Sequence, residues 1–250
     1  MPTMINLAAI SAVELRSDRL GPLDSIAHPL DPGSYAGQIW SGDTQVGSFT
    51  IDIEPGGQGD QITIDLSTAT SPGTSCARYR GGAIEGYPLY AVFHCGGQAS
   101  GLHVVLDAAD RKDAHFDSRA LQAGDYYAVT AVRPGQWALS SGRSKGAQGK
   151  VTVTEARPDG KPRPSQCGAT IKADGKSFNP NSASVVSGDG IVFEVGGPDV
   201  AIRLALGDRP AGKRPRPVGV RYLGRAGARA AAATAAQTGK AGKADKAGKG

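Results

Sequence analysis

The chain has 250 residues, among them 36 Gly, 16 Pro and 3 Cys, with a net charge of +5. That length allows one large or two small domains, and the Gly and Pro content, with apolar residues in short scattered runs, favours many short strands over helices. No apolar run is long enough to cross a bilayer, and no Walker loop, dinucleotide fingerprint or Gly-x-Ser-x-Gly elbow occurs.

Charge is unevenly placed. From Lys213 onward there are ten basic residues against one acid, Asp245, which leaves 18 basic and 22 acidic residues in 1–212. The expected folded part is therefore mildly acidic, and the basic character belongs to the end of the chain.

Residues 1–24 read as an N-terminal arm. Asn6–Leu15 fits a short helix with Leu7, Ile10 and Leu15 on one side, closed by Gly21 and Pro22. Such an arm caps its own domain or packs on a neighbouring subunit. Met4–Val13 is weakly apolar, but no basic residue precedes it and Glu14, Arg16, Asp18 and Arg19 follow, so it does not read as a secretory signal.

Leu30-Asp-Pro-Gly-Ser-Tyr35 leads into a strand ending near Trp40, and the same Leu-x-x-Gly-x-Tyr spacing returns at Leu121–Tyr126, 91 residues on, ahead of Trp137. This is a weak internal repeat of two corner-and-strand units. Ser48–Ile53 and Gln61–Leu66 alternate polar and apolar residues around Glu54–Asp60, the pattern of a β-hairpin. Ser67–Gly86 reads as loop, Tyr87–His94 and Leu102–Leu106 as buried strands, and Ser141–Gly149 as an exposed loop.

Phe116–Thr130 carries the clearest signal. Phe116, Leu121, Gly124, Tyr126 and Val129 stand at strand, turn and strand positions, with Gly124 free to take a positive φ. At this spacing the stretch from Leu106 to about Val153 resembles the carboxypeptidase regulatory-like domain, a prealbumin-like module. That resemblance implies an Ig-like sandwich and an accessory role without an active site. Pro158, Pro162 and Pro164 make 157–165 a semi-rigid linker. Beyond it, Phe178, Pro180, Val185, Gly188, Asp189, Ile191 and Phe193 resemble the first hairpin of a cupredoxin. No His follows His115 and the only Met residues are Met1 and Met4, so the blue-copper ligands of that family are missing.

Several side-chain groups are candidates for chemistry. His94 and His103 offer imidazoles to a metal, but no Cys-x-x-Cys or His-x-His spacing accompanies them. Asp107, Asp110, Asp113 and Asp117 supply oxygen at short spacing for calcium, without the Gly and terminal Glu of an EF-hand loop. Cys76 and Cys95 flank a Gly-rich segment and read either as a disulfide or as free thiols, with Cys167 left over. Lys240, Lys243, Lys246 and Lys249 recur every three residues in a disordered Ala/Gly/Lys tail, suited to unspecific polyanion binding by counterion release or simply to solubility.

The sequence therefore predicts an all-β protein: an N-terminal arm (1–24), an Ig-like, prealbumin-like antiparallel sandwich (25–156), the linker (157–165), a small cupredoxin-like β unit (166–224) and the basic tail (225–250). The expected role is non-enzymatic, structural or adhesive, coating or linking a surface such as a cell envelope or virus particle. A protein partner or self-assembly is expected, and no cofactor. The rival readings are a periplasmic metal- or ligand-binding protein and polyanion binding through the tail.

Overall fold

Strands form where the sequence alternates. In Leu89–His94 every second side chain, Leu89, Ala91 and Phe93, is buried, and in Gly190–Val195 the buried set is Ile191, Phe193 and Val195. The computed structural model describes residues 11–69, 76–97, 99–111, 115–141, 147–155 and 168–207. The elements there are strands, apart from one helical turn at Leu66–Ala69. The protein is all-β. No helix among the described residues is long and apolar enough to cross a membrane.

The strands, numbered in chain order, lie in three sheets. One five-stranded sheet runs β1 (Glu14–Arg16), β17 (Ile202–Leu206), β11 (Gly135–Ser141), β12 (Gln148–Thr154), β15 (Ser182–Val186). A seven-stranded sheet runs β14 (Phe178–Asn179), β13 (Ala169–Ala173), β16 (Gly190–Val195), β10 (Tyr126–Thr130), β2 (Asp24–Leu30), β7 (Leu89–His94), β5 (Gln61–Asp65). The other five-stranded sheet runs β6 (Ala77–Ala83), β4 (Thr44–Gly59), β3 (Gly33–Ser41), β8 (Leu102–Ala108), β9 (His115–Asp117).

The linker at 157–165 lies outside the described residues, but the strands on either side of it share sheets. β16 pairs antiparallel with β10, placing Phe193 opposite Tyr127, and β15 pairs parallel with β12. The described strands of the expected 166–224 unit thus complete sheets begun by strands of 25–156. So short a segment need not bury a core of its own.

Both Leu-x-x-Gly-x-Tyr segments are corners that carry the chain between sheets. Leu30 ends β2 in the seven-stranded sheet and Gly33 (φ 149) opens β3 in the five-stranded one. The second corner runs the opposite way, from β9 through Gly124 (φ 96) to β10. Leu30 and Leu121 are both buried. The first corner is held by its tyrosine: the Tyr35 hydroxyl donates to the Asp31 carbonyl (2.9 Å) and accepts from Arg111 Nη2 (2.6 Å). The second is held by Asp125, whose Oδ2 accepts from the Gln122 amide (2.7 Å) and whose Oδ1 meets His28 Nδ1 (2.6 Å).

Several local expectations are corrected. β4 and β5 do not form a hairpin: β4 pairs with β3 and β6, β5 with β7 in the other sheet. The Gly-rich stretch is the far end of β4, still paired with β6 across an irregularity between Pro55 and Gly59, and the chain passes to the other sheet at Asp60. β15 and β16 likewise sit in different sheets, so the cupredoxin-like residues form strand, turn and strand without pairing as a hairpin. Within the expected loop Ser67–Gly86, Ala77–Ala83 is β6, an edge strand whose exposed polar residues conceal its alternation. In the expected helix Asn6–Leu15, Leu15 instead belongs to β1, opposite Leu204 of β17, and the arm closes a sheet edge of its own chain.

Aromatic rings join residues of different sheets in the core. Phe93 of β7 packs against Phe49 of β4 (6.1 Å) and Phe116 of β9 (6.0 Å). Opposite Phe49 in the β3–β4 pair stands Gly37, and the Phe49 ring occupies the space a Gly37 Cβ would need. Gly37→Ala is expected to cost about 1–3 kcal/mol by overpacking, read as a lowered urea midpoint. In a Phe49→Leu background the added cost should shrink, since the two positions are coupled; equal costs in both backgrounds would mean the ring is not the obstacle.

Candidate functional site

β3 turns Tyr35, Gly37 and Ile39 inward, which leaves Gln38 and Trp40 on the outer face. A register irregularity at Ile39/Trp40 sits just before the tight turn to β4 that carries Asp43, a local break of the kind that re-aims side chains. Across the sheet Trp40 stands opposite His103 of β8, Gln38 opposite Val105, and Val105 opposite Asp117 of β9. With Gly42, Asp43, His115 and Arg119 these side chains line an open depression of about 290 Å³.

The Trp40 and His103 rings are nearly parallel, 12° apart with centroids at 6.3 Å. The indole Nε1 of Trp40 is shielded and has no acceptor in the protein. His103 is buried, and that burial, helped by the nearby Arg119 charge, lowers its pKa below the ordinary histidine value. Arg119 grips Asp117 with two nitrogens, Nη2 to Oδ2 at 2.7 Å and Nε to Oδ1 at 3.0 Å, and its amide adds a bond to Oδ1 at 2.9 Å. Burial works to raise the Asp117 pKa, but these bonds outweigh it and hold the carboxyl below its usual range. The pair presents a fixed, planar array of donors and acceptors beside an aromatic wall.

A second depression of about 290 Å³, lined by Leu15, Arg16, Arg19, Leu23 and Asp24 among others, is built around a buried carboxyl. Asp24, only 5% exposed, takes a 3.3 Å bond from the Gly21 amide on Oδ2, while Oδ1 lacks a well-formed hydrogen bond. Desolvation pushes its pKa up to about 7 against the bonds from Gly21 and Tyr127. Tyr127 faces it from β10, fully buried, and burial followed by the Asp24 charge drives the phenol well above its ordinary value.

The sequence-derived candidates are not brought together. His94 lies on β7 and His103 on β8, in different sheets. Of the carboxylates considered for calcium, Asp107 is hydrogen-bonded to His115 (2.7 Å), Asp110 lies 3.8 Å from Arg111 Nε, and Asp117 is held by Arg119; Asp113 is outside the described residues. Among the described residues no three His, Cys, Asp or Glu side chains converge as metal ligands. Cys76 is exposed and Cys95 buried, both as free thiols in this structure. Burial pushes the Cys95 thiol up to about 12, so it is a poor nucleophile at neutral pH. Lys240, Lys243, Lys246, Lys249 and Cys167 lie outside the described residues.

Sequence reading passed over Trp40 and Asp24 as chemical groups. For Trp40 the signal was available: in an alternating strand it falls in step with Gln38 rather than with Tyr35 and Ile39, a large aromatic on the polar face. Compared with known proteins, the chain matches no family model, no curated protein and no solved structure.

Proposed function

We propose that this chain is a non-enzymatic β-sandwich module of Ig-like, prealbumin-like type, with a structural or adhesive role: it coats or links a surface such as a cell envelope or virus particle. The observation that carries the reading is that the first and last described strands pair with each other. β1 and β17 are antiparallel neighbours, and the Leu206 amide donates to the Val13 carbonyl at 2.8 Å. The first and last strands of the described residues are therefore neighbours in one sheet. The Trp40 face belongs to a different sheet. A β-body closed by pairing its first described strand with its last, with an open depression on a different sheet, suits linking better than turnover. The contact between two sheets through Phe49, Phe93 and Phe116 supports the sandwich assignment.

Co-sedimentation of the purified chain with cell-envelope fragments and with virus particles from the same source tests the proposal. The chain is expected in the pellet with at least one of them. Recovery in the supernatant with both would overturn it.

A further inference from the structure

We propose that the depression formed by Gln38, Trp40, Asp43, His103, Asp117 and Arg119 binds a neutral saccharide. The proposal rests on the surface-attachment reading above and names the chemistry by which that surface is recognised.

Four classes of ligand can be weighed against the lining. A metal ion is disfavoured because no three ligating side chains converge there. A strongly anionic ligand meets two carboxylates, Asp43 and Asp117, against one guanidinium already forked onto Asp117. His103, its pKa lowered by burial, contributes no full positive charge at neutral pH. A wholly apolar ligand would cover Gln38, Asp43 and the Asp117–Arg119 pair and strip them of water without replacing it. A neutral pyranose answers the whole lining. Its C–H face packs against the half-buried Trp40 ring, which His103 backs from the neighbouring strand, and its hydroxyls donate to Asp43 and Asp117 while accepting from Arg119 and Gln38.

The geometry has the rigidity that recognition of weakly distinguished hydroxyls requires. Trp40 and His103 stand opposite each other on paired strands, and Asp117 is held by four bonds from Arg119, so the Asp117–Arg119 pair has little freedom to lose on binding. The depression is open and small, which suits one short stretch of a longer chain lying across the sheet rather than an enclosed small molecule. Weak binding at a single face becomes firm attachment when many copies meet a repetitive polymer.

Affinity electrophoresis of the full chain through gels containing a neutral β-glucan, a neutral α-glucan, a galactomannan or heparin tests the assignment. At least one neutral polysaccharide should retard the wild type. Trp40→Ala and Asp117→Asn should each weaken that retardation about tenfold or more, with heparin mobility the same as wild type. Asp43→Ala, on a surface turn, gives a third reading should Trp40→Ala fail to fold. No retardation by any neutral polysaccharide, or retardation that all folded variants retain, overturns the proposal. If glycan binding fails while envelope or particle co-sedimentation persists, the saccharide site falls and the surface reading stands; loss of both removes both.

Discussion

Asp24→Asn should stabilise the protein at pH 8 and leave it nearly unchanged at pH 4. Asp24 is held at a pKa of about 7 in the fold, chiefly by desolvation, against about 3.9 in an unfolded chain. Between these values the native state binds the proton that the unfolded state releases. The contribution of this group to stability is thus complete below pH 4, lost progressively as pH rises to 7, and absent above. The span of three pH units corresponds to roughly 4 kcal/mol at pH 8. Other shifted groups slope the other way. Asp65 and Asp117 are lowered, so their contribution is lost as pH falls into the acid range, and the lowered His103 gives a contribution complete above its ordinary value and lost as pH falls below it. Wild type minus variant cancels those terms. The measurement is therefore the difference in thermal midpoint between the two proteins from pH 4 to 8, and a difference that stays flat would show that Asp24 is not buried as a neutral acid.

The origin of that effect was hidden in the sequence. Asp24 begins β2 after Gly21 and Pro22, where an acid ordinarily reads as a turn residue. It is buried because β2 lies between β10 and β7 in the seven-stranded sheet, with Tyr127 of β10 across from Ile26. Only long-range pairing puts it there. The alternation of β3, β7 and β16 was legible because period-two burial is a local property. Their partners were not. β4 followed by β5, and β15 followed by β16, each look like a hairpin from spacing alone, yet each turn sends the chain into another sheet. Nothing in a Gly-rich turn distinguishes the two outcomes until both strands have a partner to pair with.

The candidate site divides in the same way. Trp40 and Gln38 fall on one face by counting along β3. That His103 stands opposite Trp40, and Asp117 two strands from Gln38, depends on the order β3–β8–β9, in which β8 follows β3 by some sixty residues of chain. The Leu-x-x-Gly-x-Tyr corners were visible as motifs, and their glycines do adopt positive φ. What differs between them, a tyrosine hydroxyl at one and a buried carboxylate at the other, is set by the neighbours each corner meets.

That side chain supplies the second large effect: Asp125→Ala should destabilise the fold by about 2–3 kcal/mol. Asp125 is fully buried. Its Oδ1 meets His28 Nδ1 at 2.6 Å and its Oδ2 accepts from the Gln122 amide at 2.7 Å. The backbone is fixed as well, with the Val195 amide donating to the Asp125 carbonyl and the Gly124 amide to the Val195 carbonyl, both at 2.9 Å. His28 in turn stacks on Phe116, with ring centroids 4.0 Å apart. One side chain therefore links β2, β10 and the core ring of β9, beside backbone bonds to β16. Alanine removes both acceptors at once, so the Gln122 amide and the partly exposed His28 ring nitrogen lose their protein partner and a cavity opens where the buried side chain stood. Asp125→Asn keeps the volume and one carbonyl acceptor, so it should cost clearly less than alanine. Urea denaturation of the three proteins gives the comparison. A midpoint for Asp125→Ala close to wild type, or equal for Ala and Asn, would mean that the corner is held by its backbone bonds and by Leu121 alone.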